Sequence, residues 1–222
     1  MTNPAPAAFV PRVVDISHHN TGTLSGGVID FGAMRDAGIW GVIGKATQGS
    51  AYKDPLYASR RKDATRAGLL WGAYHFNTGD KVSDQVDNFL ACADPDDKML
   101  LVLDFEDNRL SQMSIGQAIE FLHLVEVKVG RAPAIYSGNR VKDNIGKLSS
   151  ADRTYLTSHR LWLCEYGPHA VLPAGWKSWW LWQYTGDGIG PQPHSIAGIK
   201  GSGIDLNVYA GTREQLAQEW AA

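Results

Sequence analysis

The chain has 222 residues, of which 44% are hydrophobic and 20% charged, and its formal net charge is -2. This length favours a single domain and allows a substantial core, while the high apolar content and small net charge exclude a disordered chain. The 21 basic residues are balanced by 23 acidic ones, so a nucleic-acid partner is not expected. No run of 18 apolar residues is present, so we expect no membrane insertion.

The first eleven residues contain three prolines and predict a flexible N-terminal lead-in before a folded unit spanning 12–222. This segment lacks a charged start followed by an apolar stretch, so no signal peptide is visible. Two cysteines, Cys92 and Cys164, do not make a disulfide framework, and we expect both to be free.

Strands and helices alternate along most of the chain. The apolar runs predict strands at 13–17, 40–47, 69–76, 99–106 and 133–137, followed by three more at 160–166, 178–185 and 203–209. The spacing and end signals predict helices at 30–37, 54–67, 82–93, 114–129 and 212–221. The Gly- and Pro-rich segment 186–203 is predicted to be a surface loop.

This order predicts an α/β fold with about five strand–helix units and three further strands. Nearly continuous apolar strands separated by helices are typical of a parallel sheet covered on its outer face. Eight strands in roughly 210 residues favour closure into a TIM-like barrel of a single domain, although periodicity alone does not establish closure.

Four acidic residues fall near the ends of predicted strands. Asp15 comes late in the first strand, Asp104 and Glu106 end the fourth, and Asp205 lies in the last. Barrels of this type place their active sites at the C-terminal ends of the strands. Strand residues two apart point to the same side, which places the Cα atoms of Asp104 and Glu106 about 6.6 Å apart. One of two such close carboxyl groups has a raised pKa, which suits a general acid beside an anion in glycoside hydrolysis.

These residues also fit structural or metal-binding interpretations. An Asp-x-Glu sequence at a strand end is often a solvated edge or a helix N-cap, and Asp107-Asn108 favours a turn. His18 and His19 could hold a metal ion with the carboxylates, but adjacent strand residues face opposite sides. We therefore predict no metal and no cofactor. Eight tryptophans are present, five of them between Trp162 and Trp182, which fits either a buried aromatic cluster or a groove that stacks sugar rings.

The segments VVDISHHN, GVIGKATQG, WGAYHF, LVLDFEDN, IYSG, LWLCEYG, LWQYT and GIDLNVYAG occur in the order found in glycoside hydrolase family 25. The chain resembles these lysozymes, including phage endolysins, from about Val13 to Gly211. The resemblance implies an irregular (β/α)5(β)3 barrel. It also implies hydrolysis of the β-1,4 bond between N-acetylmuramic acid and N-acetylglucosamine in peptidoglycan.

The resemblance also implies roles for particular residues. It assigns the general acid to Glu106, its companion to Asp104, and two further carboxylates to Asp15 and Asp205. It implies substrate contacts from Tyr52, Tyr74, Tyr136, Trp162, Tyr166, Lys45 and Gln183. Tyr74 and Trp162 could equally be core residues, His75 is interpreted as a packed strand residue, and a buried Lys45 is expected to pair with a carboxylate. One departure is Gln48, which stands where the family has a glutamate.

The residues fit more than one mechanism and more than one function. Asp104 could attack the anomeric carbon or orient the substrate's acetamido group, and the backbone spacing lies between the carboxyl separations of retaining (about 5–5.5 Å) and inverting (about 6.5–9.5 Å) enzymes. The rivals are a non-catalytic peptidoglycan-binding protein, a chitinase-like barrel hydrolase and a metal-dependent hydrolase.

The expected partner is the bacterial glycan strand. We expect a monomer that acts outside the cytoplasm, released by phage lysis or a dedicated secretion system.

Overall fold

Strands and helices alternate in a computed structural model that describes residues 9–109 and 111–222. The strands are β1 (Val13–Ile16), β2 (Gly41–Gln48), β3 (Tyr52–Lys53), β4 (Leu70–Phe76), β5 (Leu100–Asp104), β6 (Ala134–Ser137), β7 (Leu161–Cys164), β8 (Leu181–Thr185) and β9 (Leu206–Val208). The helices are α1 (Phe31–Asp36), α2 (Tyr57–Arg66), α3 (Val82–Ala93), α4 (Ile115–Val129), α5 (Asn139–Lys142), α6 (Ser150–Ser158) and α7 (Arg213–Glu219).

The sheet closes on itself. Its strand order is β1-β9-β8-β7-β6-β5-β4-β2-β3, and an additional pairing of β1 with β2 joins the two sides. Eight strands thus form a barrel, and β3 is a short antiparallel extension of β2 outside it. Five strand–helix units followed by β7, β8 and β9 confirm the predicted single-domain (β/α)5(β)3 barrel.

The last strand runs against the others. From β1 through β8 the barrel pairs are parallel, whereas β9 pairs antiparallel with both β8 and β1. The start of β9 therefore lies at the same end of the barrel as the C-terminal ends of the other strands. This reversal brings residues just before Leu206 to the end where barrels carry their chemistry.

Alternation along the strands separates two apolar clusters. Inward-facing residues fill the barrel interior, and outward-facing residues pack under the helices in a larger core. The interior cluster includes Val13, Ile43, Leu100, Val102, Ala134, Leu181 and Trp220. These residues occupy the N-terminal half of the barrel, which leaves the opposite half to polar side chains.

Trp220, directly after α7, closes the N-terminal end of the barrel. Its side chain is 1% exposed, and its Nε1 donates to the carbonyl oxygen of Trp71 at 2.8 Å. A Cβ atom at Gly41 would lie 2.7 Å from the Trp220 ring, so glycine at this position permits the close approach of the indole.

Three helices differ from the sequence-based prediction. The five predicted strand–helix units require a helix after β6, but no bounds were predicted for it, and two helices, α5 and α6, lie there. The α6 sequence is rich in Ser and Thr and buries only Leu156, so its periodicity is weak. The predicted start of α2 at Asp54 is wrong, because the Asp54 carboxylate accepts the N–H groups of Leu56 and His18 and holds a turn before the helix.

The packed part of the chain extends into the predicted lead-in. The Phe9 ring stacks on Tyr184 with a centroid distance of 4.6 Å and contacts Trp182 edge-on at 5.4 Å. Residues 1–8 of that predicted segment lie outside the described residues. Among residues 9–109 and 111–222, no helix is both long and apolar enough to cross a bilayer.

Replacing Trp220 with alanine should destabilise the fold, because it removes a buried indole and opens a cavity at the end of the barrel. We expect the free energy of unfolding to fall by about 3–5 kcal/mol in a denaturant titration. Gln218→Ala changes an exposed residue just before it and should leave the midpoint nearly unchanged. Equal stability of Trp220→Ala and wild type would contradict this packing role.

Candidate active site

Four carboxyl groups converge at the C-terminal end of the barrel. Asp15 is the third residue of β1, Asp104 ends β5, Glu106 follows two residues later, and Asp205 directly precedes β9. They line a cavity of about 280 Å³. Six of the seven predicted substrate-contact residues line it as well: Lys45, Tyr74, Tyr136, Trp162, Tyr166 and Gln183.

The backbone after β5 keeps Asp104 and Glu106 on one side. Phe105 between them is fully buried in the outer core. Its N–H donates to the carbonyl oxygen of Tyr136 at 2.9 Å, and its carbonyl oxygen accepts the Ser137 hydroxyl at 2.6 Å. The chain thus stays extended beside β6 beyond the end of β5, so the next side chain turns back to the cavity.

Of these two carboxyl groups, Asp104 is the more deeply buried. It is 7% exposed, and its Oδ1 is buried with no hydrogen-bond partner among the residues that the structure describes. Burial, followed by repulsion from Glu106, raises the pKa of Asp104 well above its usual value, although Lys45 opposes the shift. Burial therefore disfavours the ionised form of this carboxyl.

Glu106 and Asp205 also hold protons more tightly than exposed carboxyl groups. Burial and the nearby Asp15 raise the pKa of Glu106 to about 7. Burial, Asp15 and Asp187 raise the pKa of Asp205 to about 9. A cavity that excludes water disfavours charge, and several like charges within it disfavour each other.

Asp15 organises one wall of the cavity through hydrogen bonds. The Gln183 Nε2 donates to both its carboxylate oxygens at 3.0 and 3.1 Å, and the Asn207 Nδ2 donates to Oδ1 at 2.8 Å. Gln183 in turn accepts the Tyr136 hydroxyl at 2.6 Å, and Asn207 accepts the Trp162 Nε1 at 2.6 Å. Burial raises the pKa of Asp15 to about 7, against the opposing effect of these donors. One carboxylate therefore fixes two aromatic side chains.

Lys45 does not form the expected contact with a carboxylate. Its Nζ donates to the Gln48 Oε1 at 2.8 Å and lies 4.7 Å from the centre of the Phe76 ring. Burial lowers the pKa of Lys45, and the charges of Asp104, Asp54 and Glu106 oppose that shift. Its ammonium group thus contacts a neutral amide and an aromatic face, and no carboxylate in the described part of the chain (9–109 and 111–222) contacts it.

Tyr52 lies at the rim rather than in the cavity lining. It is 39% exposed on β3, and its hydroxyl is 3.0 Å from the His18 Nδ1. The same imidazole nitrogen is 3.1 Å from the Asp54 carboxylate. Tyr52 remains close to the site, because Lys45 lies 5.7 Å from the centre of its ring.

The cavity lining includes four residues that the sequence did not single out as substrate contacts: Ser17, His19, Phe76 and Asp187. Ser17 and His19 follow β1 and Phe76 ends β4, so their positions at strand ends were a usable signal. Asp187 adopts a left-handed backbone conformation with φ of 52° in the loop after β8. Only the folded loop reveals that this residue faces the carboxyl cluster.

The structure gives the positions of the aromatic and histidine residues that had two interpretations. Trp162 belongs to the barrel core, Tyr74 packs against it, and both line the cavity, so their contact with substrate stays a prediction. His75 is confirmed as a packed strand residue, with its nitrogens 2.7 Å from the Thr47 hydroxyl and 3.1 Å from the Gln85 amide oxygen. Both cysteines are free, as expected.

The arrangement supplies carboxyl groups that keep a proton near neutral pH, held among aromatic rings and amides. Such a site can donate a proton to a leaving oxygen and stabilise a developing positive charge on a sugar. Among residues 9–109 and 111–222, no group of three or more His, Cys, Asp or Glu residues is arranged to hold a metal ion.

Residues 14–192 match the family model of the glycosyl hydrolases family 25. The match covers most of the chain, so the chain belongs to this family. It is a glycoside hydrolase of the lysozyme class, as the order of its sequence motifs predicted.

Individual relatives agree with this membership. The chain is 25% identical over 218 residues to lysozyme M1 of Streptomyces globisporus, covering 91% of this chain and 69% of that protein. The fold is similar to the bacterial lysozyme of Streptomyces coelicolor, with a TM-score of 0.79, 24% identity, and 97% and 98% of the two chains covered. It is also similar to a family 25 lysozyme of Aspergillus fumigatus, with a TM-score of 0.75, 26% identity, and 96% and 99% covered.

The raised pKa values predict how stability depends on pH. Between its ordinary pKa of 3.8 and about 9, Asp205 holds a proton in the folded protein that the unfolded chain has released. Its contribution to the free energy of unfolding is therefore complete below about pH 4 and is lost as pH rises towards 9. Asp205→Asn should flatten the decrease in unfolding free energy between pH 5 and pH 8, measured by denaturant titration.

Asp36→Asn provides the control for this comparison, because the Asp36 side chain is 69% exposed. That variant should keep the wild-type slope of unfolding free energy against pH. A slope equally steep in Asp205→Asn would contradict the assigned burial of this carboxyl.

Proposed function

We propose that this protein cleaves the β-1,4 bond between N-acetylmuramic acid and N-acetylglucosamine in peptidoglycan. The observation that carries the proposal is the pair of carboxyl groups, Asp104 and Glu106, opening into one cavity with raised pKa values. Membership of the family and the lysozyme relatives support the polymer as substrate.

Glu106 is the proposed general acid. A pKa of about 7 keeps much of this carboxyl protonated near neutral pH, and the group is partly exposed within the cavity. It would donate its proton to the glycosidic oxygen as the C1–O bond breaks. The resulting carboxylate would then accept a proton from the water that completes hydrolysis.

Asp104 is the proposed partner of the substrate's 2-acetamido group. A buried carboxyl whose ionised form is disfavoured is a poor nucleophile, but one of its oxygens can accept the acetamido N–H. Held in this way, the acetamido oxygen would attack C1 as the leaving group departs, and water would later open the resulting ring with net retention. Burial of Asp104 thus favours acetamido participation over direct attack by the aspartate.

The remaining residues are proposed to position the sugar. Asp15 orients Tyr136 and Trp162 through Gln183 and Asn207, which presents aromatic walls to the pyranose rings. Asp205 lies across the cavity as a further hydrogen-bonding group, and Tyr166 and Tyr74 complete the wall. Tyr52 at the rim would contact sugars further along the strand.

We propose that the protein acts outside the cytoplasm, where glycan strands of the cell wall are found, and that it works as a monomer without a cofactor. Lysozymes among its relatives support the wall as the site of action. Release by phage lysis or by a secretion system stays a prediction from the sequence.

Replacing Glu106 with glutamine should remove the proton donor while keeping the shape of the side chain. We expect the rate of peptidoglycan hydrolysis, measured by release of reducing sugars, to fall by about 10²–10⁴-fold. Asp107→Asn alters the exposed neighbouring carboxylate and should retain most activity. Wild-type rates in Glu106→Gln would rule out the assignment of the acid, and inactivity of the wild type would favour a non-catalytic binding protein.

The bond that is cleaved can be identified from the products. Mass spectrometry of digested and reduced peptidoglycan should find the new reducing end on N-acetylmuramic acid. A reducing end on N-acetylglucosamine, or hydrolysis of chitin oligomers without hydrolysis of muramyl substrates, would instead support a different barrel hydrolase. Loss of activity in chelator would support the metal-dependent alternative.

The activity should decline on the alkaline side of neutrality. Glu106 is an acid only while it carries its proton, and burial raises its pKa to about 7. We therefore expect kcat/KM on a soluble glycan fragment to be high below about pH 7 and to fall as pH rises above it. A rate that keeps rising through pH 9 would be inconsistent with Glu106 as the acid.

A further inference from the structure

A groove lies at the end of the barrel opposite the carboxyl cluster. Segments at the starts of β7 and β8, at the end of β9 and along α7 line it, and its volume is about 810 Å³. Because β9 is antiparallel, these three strand ends belong to the N-terminal end of the barrel. The groove is therefore separate from the candidate active site and larger than its cavity of about 280 Å³.

Part of the tryptophan-rich segment between Trp162 and Trp182 lines this groove. Trp179 and Trp182 are buried in the outer core, although Trp179 also borders the groove, whereas Trp176, Trp180 and Tyr209 are only partly buried and line it. The three partly buried rings also pack against the apolar cores, so the groove presents their exposed parts to a ligand.

The rings at the groove are held in place at their polar edges. The Trp176 Nε1 donates to the carbonyl oxygen of His159 at 2.9 Å. The Trp180 Nε1 and the Tyr209 hydroxyl both donate to the Glu219 Oε2, at 2.8 and 2.7 Å. Their orientation is therefore set before any ligand arrives, which lowers the entropy cost of binding.

The polar groups of the groove are mixed in sign. The Arg160 guanidinium lies 4.6 Å from the centre of the Trp180 ring, and the exposed Lys177 and Ser178 line the groove together with Glu219. These aromatic rings have fixed orientations and are bordered by positively and negatively charged groups. Such a surface fits a ligand that has apolar ring faces and many hydroxyl or amide groups. A uniformly charged polymer would require one sign of charge.

We propose that this groove is a second glycan-binding site, which takes a strand of N-acetylated sugars at the end of the barrel remote from hydrolysis. The identity of the sugars rests on the proposed function. A protein with a net charge of -2 has little electrostatic attraction to an anionic wall, so a second contact would keep the enzyme on its insoluble substrate.

Sedimentation with insoluble peptidoglycan tests the site in a Glu106→Gln background, where hydrolysis does not interfere. Trp176→Ala should weaken binding about 3- to 10-fold, the range expected for loss of one stacked ring. Trp176→Phe keeps a ring and should retain most of the binding. Ala210→Glu adds bulk and charge at an exposed lining position and should also weaken binding. Val127→Ala, on the exposed face of α4, is the matched control.

Indole ¹⁵N resonances distinguish the two sites in the same Glu106→Gln protein. On titration with the hexamer of N-acetylglucosamine, Trp162 reports the candidate active site, and Trp176 and Trp180 report the groove. We expect shifts in both sets, with Trp176→Ala removing those of Trp180 and sparing that of Trp162. Shifts confined to Trp162, or unchanged sedimentation of Trp176→Ala and Ala210→Glu, would overturn the proposal.

In the active protein, Trp176→Ala should slow hydrolysis of insoluble peptidoglycan and leave hydrolysis of a short soluble glycan unchanged. An equal loss on both substrates would indicate a structural defect and overturn the binding role. If the wild type hydrolyses neither substrate while the groove resonances still respond to the hexamer, the proposed function fails and the second site stands.

Discussion

The site depends on the burial of several carboxyl groups at one end of a barrel whose other end is packed with apolar side chains. The surrounding side chains bury Asp104, Glu106 and Asp205, so the ionised forms of these groups are disfavoured. The protein offsets part of this cost at Asp15, whose oxygens accept hydrogen bonds from Gln183 and Asn207. Gln183 and Asn207 also accept hydrogen bonds from Tyr136 and Trp162, so one network stabilises the Asp15 carboxylate and orients the aromatic walls of the cavity.

The two ends of the barrel are built differently. Trp220 and the interior aliphatic residues close the N-terminal end, which gives the strands a rigid base. At the other end the interior positions of the same strands carry Asp15, Lys45, Tyr74, Asp104 and Gln183. The parallel strands that carry these residues thus supply core at their starts and polar lining at their ends, with the strand period of two keeping both on the inner face, whereas the antiparallel β9 has Asp205 at its start.

Gln48 changes the local charge balance without removing any of the four clustered carboxyl groups. Lys45 donates to the neutral amide oxygen of Gln48, and its charge acts on Asp104 and Glu106. A cation there lowers the pKa of both carboxyl groups and so limits the rise that burial causes. The residue at position 48 therefore affects the pKa values of Asp104 and Glu106 through Lys45.

The sequence by itself determined the barrel class, because apolar strands separated by helices have few stable arrangements, and it named the residues whose two-residue spacing puts them on one strand face. It also determined family membership through eight motifs in order. Only the tertiary structure decided the closure between β1 and β2, the reversal of β9 that brings Asp205 to the carboxyl end, and the approach of Asp187 from a loop. It also decided the Lys45–Gln48 contact and which tryptophans are core and which line the second groove. These features depend on contacts between residues far apart in the chain, for which local periodicity carries no signal.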